Sequence, residues 1–311
     1  MMAVTHFHQT PVLIMKLSRI TFLRTAAVAV IAAAIPAGAA LAAGSQNQGD
    51  DKTRVILRLD DIGFCHSVNM ACNKLMEAGV PFSASVMTPC PWFEEAVTLL
   101  KAHPEVSVGV HLVLFSEWKG YRWGPVLGKE AVPSLVNEEG YFFHDEPSLK
   151  ANKPEKREIE MEFRAQIDRA LASGLRIDYI DTHLGSTKGS REVVRKLSGE
   201  YGLPVSGTFD VEGISTYEVP YDRKKEAAVE KIRSLESGKT YRWVIHIGMD
   251  TPEMCALEEI RTSGLPEMCR HRNAQLNTLL SEEFHQALEQ NQVELITYRS
   301  FFESTGTAEG D

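Results

Sequence analysis

Between residues 54 and 297 the chain repeats one pattern: a short apolar run rich in branched side chains, then a longer segment with apolar residues at helical spacing. Residues 54–59 (RVILRL) predict a first strand, and Ser67 is placed to cap a helix through Val68, Cys72, Leu75 and Met76 that stops at Gly79. Further strands are predicted at 84–87, 106–112, 177–181, 205–209, 241–247 and 293–297, with helices at 93–102, 155–173, 191–201, 223–235, 272–280 and 282–290. Alternation repeated about seven times specifies a parallel sheet faced by helices, because parallel neighbours need a crossover between them. The chain therefore reads as α/β, a single domain over residues 53–303, with 304–311 as a disordered tail. Periodicity does not decide whether the sheet closes on itself. The connection 113–153 is long for such a fold and carries Trp118, Tyr121, Trp123 and Tyr141. Loops of that length are usually functional, and these aromatics either stack on a ligand or pack a lid onto the body.

Residues 1–42 stand outside the pattern. Lys16, Arg19 and Arg24 precede an Ala-rich apolar stretch at 26–35, Pro36 and Gly38 break it, and Ala40-Leu41-Ala42 offers small residues for cleavage. A basic flank, a short apolar centre and a small-residue exit predict a secretory signal peptide at 1–42, and an exported chain, periplasmic or secreted. The alternative is an uncleaved anchor, although the stretch is short of the roughly 20 residues a span needs. Residues 43–52 are polar and read as a flexible lead-in. Removing 1–42 takes away three basic and no acidic residues, moving the formal net charge from −9 to −12. That balance argues against a nucleic-acid partner, since phosphate binding depends on clustered Lys and Arg, and no stable membrane association is expected after cleavage. The five cysteines (Cys65, Cys72, Cys90, Cys255 and Cys269) are odd in number and fit no disulfide framework or CxxC metal motif. Most are expected to be small buried hydrophobes. Oligomeric state is not legible.

The unusual polar residues fall at the ends of the predicted strands. Asp60 and Asp61 follow the first; His111 lies at the end of the third, in Gly109-Val110-His111-Leu112. Asp181 and His183 follow the fourth, and His246 ends the run Trp243-Val244-Ile245-His246. In a parallel sheet all strand C-termini share one edge, where ligands bind, so these scattered residues are expected at one mouth. Each alone has a plainer explanation. An Asp pair can cap a helix or start a turn, and a His in an apolar strand is usually a buried, hydrogen-bonded residue. Together, one carboxylate and two imidazoles make an open metal site with positions left for water and substrate.

The run Leu59-Asp60-Asp61-Ile62-Gly63-Phe64, with Val68-Asn69 after it, resembles the opening motif of the YdjC-like carbohydrate deacetylases, which include chitooligosaccharide deacetylases. Val108-Gly109-Val110-His111-Leu112-Val113-Leu114 is similar to that family's second motif, Asp181-Thr182-His183 to its third, and His246-Ile247-Gly248 to its later His-Pro-Gly. The stretch from Arg272 through Leu280-Ser281-Glu282-Glu283 to Ile296-Thr297-Tyr298-Arg299 is similar in order and character, so the resemblance covers nearly all of the chain after the lead-in. Two departures bear on specificity. The third motif usually continues to a further His, where this chain has Leu184 and Gly185, and the Pro expected after His246 is Ile247.

The resemblance implies an irregular parallel (β/α) barrel of about seven strands, related to polysaccharide deacetylases. It further implies one divalent metal ion, Mg or Zn, held by Asp61, His111 and His183, with Asp60 as general base. The implied reaction removes an acetyl group from an N-acetylated sugar or oligosaccharide by metal-activated water. The departing nitrogen must gain a proton; His246, whose imidazole titrates near working pH, is the candidate donor, against the reading of a structural His. Three rivals stand beside this one. A phosphate-accepting receiver domain also has an Asp pair after its first strand, but needs an Asp where His111 lies. An inert carbohydrate-binding descendant could share the fold. So could another metal-dependent hydrolase such as a phosphoesterase, with Arg270, Arg272 and Lys188 as possible members of a basic clamp.

Overall fold

The computed structural model describes residues 52–306 except Ser186, Thr262 and Ser263. The expected signal peptide, residues 43–51 of the lead-in and residues 307–311 of the expected tail lie outside the described residues. The chain opens with β1 (Thr53–Ile62), α1 (His66–Glu77), β2 (Ser83–Val86), α2 (Phe93–Ala102) and β3 (Ser107–Leu112). The long connection carries β4 (Trp118–Lys119) and α3 (Glu146–Ala151) before α4 (Lys156–Ala172). Then come β5 (Ile177–Thr182), α5 (Lys188–Tyr201), β6 (Glu212–Ile214), α6 (Lys224–Arg233) and β7 (Thr240–Ile245). The last part holds α7 (Pro252–Cys255), β8 (Glu258–Glu259), α8 (Met268–Leu280), α9 (Glu282–Gln290), β9 (Val293–Ile296) and α10 (Tyr298–Thr305).

The main sheet has seven strands in the order β5-β3-β2-β1-β7-β6, with β9 on β1, and every pairing in it is parallel. β1 is long enough to serve two neighbours on one side. Val293–Ile296 lies beside Thr53–Ile56, and β2 takes over from Arg58. Strands buried on both faces explain the continuous branched runs of the sequence: every residue of β2 and β3 is buried. The sheet curls toward closure. Val205 makes a lone parallel bridge to Ile180 on β5, while Glu212–Ile214 pairs with β7, so one short stretch of chain runs from one sheet edge to the other. This is the expected irregular barrel. The strand expected at 205–209 is reduced to that bridge, because Thr208 N–H turns back to Val205 O at 3.1 Å.

Other local expectations change for identifiable reasons. Ser67 does not cap α1; Cys65 holds the cap position without a side-chain bond. Ser67 instead donates through its N–H (2.8 Å) and its hydroxyl to Glu253 of α7. A carboxylate from a distant element thus satisfies the positive end of the helix. The chain remains helical past residue 303, since Thr297 and Ser300 form a capping box for α10 and Tyr298, Phe301 and Phe302 bury against Tyr179 and Ile56. Three aromatics of the 113–153 connection pack as a lid, while Tyr141 stays exposed: Trp118 and Trp123 are buried with ring centroids 5.3 and 5.5 Å from Phe64, and Tyr121 Oη donates to Phe64 O at 2.7 Å. Cys65, Cys72 and Cys90 are buried free thiols, as expected, whereas Cys255 is exposed and Cys269 half-buried. Among the described residues no helix is long and apolar enough to cross a membrane.

Candidate active site

Regular alternation along β1 would send Asp60 and Asp61 to opposite faces. The register against β2 shifts between Leu59 and Ile62, and Asp61 adopts φ 66°, a left-handed conformation that Asp tolerates better than most residues. This irregularity brings both carboxylates to the same mouth, 3.9 Å (Asp60 Oδ2) and 3.6 Å (Asp61 Oδ1) from Nε2 of His111. The turn is held from behind. Gly63, at φ 90°, donates its N–H to Asn69 Oδ1 at 2.8 Å, and Asn69 Nδ2 donates to Trp92 O and to Glu95. The opening motif is therefore one folded unit in which Gly63 and Asn69 fix the direction of the two aspartates.

Asp61, His111 and His183 come together at this point. Nδ1 of His183 lies 3.2 Å from Asp61 Oδ1 and 3.3 Å from Nε2 of His111. All three residues are buried, and their ligand atoms lie within 4.8 Å of one another. Asp61 Oδ2 accepts from Arg272 Nη2 at 2.6 Å, while Oδ1 is buried with no hydrogen-bond partner. A buried, unpartnered carboxylate oxygen beside two imidazole nitrogens is the donor set of an open divalent-metal site. Burial alone would raise the Asp61 pKa, but the Arg272 guanidinium and the two imidazoles hold it well below the usual carboxylate range. Burial likewise opposes charge on the imidazoles. Asp181 and Asp60 outweigh it at His111, raising that pKa to about 10, and Glu117 and Asp61 raise His183 to about 9.

Each imidazole is turned by a second carboxylate. Asp181 Oδ1 lies 2.6 Å from His111 Nδ1, and its Oδ2 accepts from Ser85 Oγ at 2.7 Å and pairs with Arg58 at 3.0 Å. Glu117, from the lid connection, lies 3.0 and 3.1 Å from His183 Nε2. His111 thus presents Nε2 and His183 presents Nδ1. Asp60 is gripped by both arms of Arg58, Nε to Oδ1 at 2.7 Å and Nη2 to Oδ2 at 2.8 Å. Asp60, His111 and Asp181 also cluster closely enough to suggest a metal site, but both carboxylates are already paired to Arg58, and they face opposite nitrogens of His111. Reasoning from the sequence missed Arg58, Glu117 and the hold of Arg272 on Asp61. Arg58 had a signal: it sits two residues before Asp60, on the same strand face, in an otherwise apolar run. Glu117 had none.

The mouth opens into a cavity of about 690 Å³ lined by Asp60, His111, His183 and His246 among others. His246 lies one residue beyond β7. Its Nδ1 is buried without a partner, its ring packs 5.5 Å from Tyr217, and burial pushes its pKa below the ordinary histidine value. Leu184 and Gly185, which replace the further His of the third motif, form part of the same wall, with Leu184 39% exposed. Of the basic residues suggested for a phosphoesterase clamp, neither Arg272 nor Arg270 lines the mouth. Arg272 is spent on Asp61 and sandwiched between Phe64 and Trp118 at 5.7 and 5.6 Å, and Arg270 pairs with Glu267 and Tyr221 at the surface.

Residues 54–290 match the family model described as YdjC-like protein. A carbohydrate deacetylase of Brevibacillus brevis is 29% identical over 261 residues, covering 79% of this chain and 98% of that one. A carbohydrate deacetylase of Geobacillus stearothermophilus is 28% identical over 257 residues, with coverage of 79% and 97%. Among solved structures, one from Enterococcus faecalis V583, presented as a candidate cellobiose-phosphate cleavage protein, superposes with a TM-score of 0.65 at 24% identity. That match covers 80% of this chain and 99% of the other, and it shows a shared fold.

Proposed function

The chain belongs to the YdjC-like protein family, and from that premise we propose that it hydrolyses the acetamide of an N-acetylated sugar at the Asp61, His111 and His183 centre. The observation that carries this reading is the unpartnered Asp61 Oδ1 facing two oriented imidazoles, next to a carboxylate, Asp60, that is not needed as a ligand. The carbohydrate deacetylases similar over most of this chain support the substrate class.

A divalent ion held by Asp61, His111 and His183 would supply Lewis acidity, polarising the acetyl carbonyl and making water more acidic. Asp60 takes the proton from the attacking water. The two-pronged grip of Arg58 fixes its carboxylate so that no reorientation is required during transfer. The amine leaves only if its nitrogen is protonated, and His246, on the cavity wall, delivers that proton. Because burial favours neutral imidazole at rest, the proton reaches His246 within the cycle, from the one Asp60 has withdrawn. Zinc suits two imidazole ligands better than magnesium does. We also propose export directed by residues 1–42, which rests on their sequence pattern; cell fractionation finding the intact chain in the cytoplasm would reject it. The function itself is tested by acetate release from N-acetylglucosamine oligomers, with and without chelator. A protein that binds stoichiometric zinc and releases no acetate from any N-acetylated sugar is not this enzyme.

A further inference from the structure

Two of the five cysteines depart from the role expected for them. Cys65, Cys72 and Cys90 are buried, whereas Cys255 is exposed and Cys269 half-buried. These two come from separate elements: Cys255 ends α7, and Cys269 lies in the first turn of α8. Between them the chain pairs β8 with β4 of the lid connection and then returns, so the fold brings the thiols together. Asp250, from the connection after β7, joins them. The two sulfurs and a carboxylate oxygen of Asp250 lie within 4.8 Å of one another, and Cys255 Sγ donates to Asp250 Oδ1 at 3.0 Å. Asp250 makes no ion pair with any described residue. None of the three lines the active-site cavity.

We infer that Asp250, Cys255 and Cys269 form a second metal site, which takes a thiophilic divalent ion such as zinc or cadmium through two thiolates and one carboxylate oxygen. Bonds of about 2.0–2.3 Å to a tetrahedral ion place its donors roughly 3.3–3.8 Å apart, so the set needs only small side-chain movements to close on one centre. Two sulfur donors select against magnesium and calcium, which take oxygen ligands. Three protein ligands leave the fourth position to water. The carboxylate favours an ion over a cross-link between the two thiols. Its hydrogen bond, and after it the neighbouring Cys269, push the Cys255 thiol up to about 12, whereas exchange with a disulfide requires the thiolate. A cation takes the place of that proton and keeps Asp250 as a ligand. Displacing the proton costs affinity, so the site fills at zinc concentrations above those that saturate the buried centre. The ion ties together segments that support that centre from outside. Asp250 lies four residues beyond His246, α7 carries Glu253, which accepts from Ser67 at the start of α1, and α8 carries Arg272, which holds Asp61. The site is a clip on these supports, independent of the deacetylase reading.

The test titrates cadmium into the full chain and follows ultraviolet absorption, because thiolate-to-cadmium charge transfer gives a band that imidazole and carboxylate ligands do not. The band is expected in the wild type and should be lost in C255S/C269S, which retains the buried Cys65, Cys72 and Cys90. Asp250→Asn should weaken the binding while the two thiolates keep the band at saturation; unchanged affinity in that variant overturns the ligand set. No band in the wild type, or a band that persists in C255S/C269S, overturns the site. So does a Cys255–Cys269 disulfide found by peptide mass spectrometry of the protein as isolated. Equilibrium dialysis against excess zinc separates this site from the Asp61, His111 and His183 centre. Two ions per wild-type chain and one per C255S/C269S chain are expected. A single ion that the double substitution removes leaves the clip standing and removes the metal reading of the other centre. A single ion that the double substitution leaves in place overturns the clip.

Discussion

Nδ1 of His111 lies 2.6 Å from Oδ1 of Asp181, and this fixes which ring nitrogen the site receives. A carboxylate at Nδ1 keeps the proton there and turns Nε2 toward Asp61, 3.6 Å away. Asp181, a member of the third sequence motif, thus acts through His111 and not as a ligand itself. Asp181→Asn should weaken zinc affinity by roughly 10- to 100-fold, measured by competition with a chromophoric chelator. Unchanged affinity would show that the imidazole is oriented without it.

Asp60→Asn separates the base from the ligands. The variant is expected to bind one zinc per chain with near wild-type affinity while acetate release falls by roughly 100-fold or more. Loss of metal in step with activity would make Asp60 a ligand.

His246→Ala should lower kcat on an N-acetylated sugar by roughly 100- to 10,000-fold at unchanged zinc stoichiometry. An aryl acetate, whose leaving group needs no proton, should be hydrolysed nearly as fast by the variant as by the wild type. Equal loss on both substrates would assign His246 to structure instead of proton delivery.

Burial opposes charge on both imidazoles, but Asp181 and Asp60 push the pKa of His111 up to about 10, and Glu117 and Asp61 push that of His183 up to about 9. The facing carboxylates favour a proton on the pair, and two protons cannot both point across the 3.3 Å between His183 Nδ1 and His111 Nε2, so the pair holds one shared proton there at neutral pH. Metal must displace it. Below pH 9, zinc binding should therefore release at least one proton per ion, and apparent affinity should fall as pH drops. Calorimetry at pH 7 in buffers of different ionisation enthalpy measures this release, and a value of zero contradicts it.

A Cβ at Gly109 would lie 2.2 Å from the ring of Tyr179, the residue whose hydroxyl meets Ser85 at 2.9 Å in the network behind Asp181. Gly109→Ala should destabilise the fold by at least about 1–3 kcal/mol, read as a lowered denaturant midpoint. It should also weaken zinc binding, because Tyr179 has to move. A stable variant with intact zinc affinity would disconnect the two.

The sequence carried the residues that gather at the mouth, because a physical rule placed them: strand C-termini of a parallel sheet share an edge, and Asp60, Asp61, His111, His183 and His246 each fell at such an end. The closure of the sheet was not legible. It depends on Val205 reaching Ile180 across a single bridge, which leaves no periodic trace. Nor were the partners that aim the site. Arg272 reaches Asp61 from 211 residues away and Glu117 reaches His183 from 66, and nothing in either local pattern names its target. Ser67 misled for a related reason: its position suits a cap, but Glu253 is a stronger acceptor and takes it.

The lid connection and the histidine pair of the mouth share one carboxylate. Glu117 belongs to the same connection that packs Trp118 and Trp123 over Phe64, and it is the group that aims His183. Swapping this loop between relatives to broaden substrate range would also exchange the partner of a metal-site histidine. A chimera that keeps its five strand-end residues but receives a loop lacking an acid at this position would inherit a new pocket and a loosened histidine together. Loop engineering here is inseparable from the aim of His183.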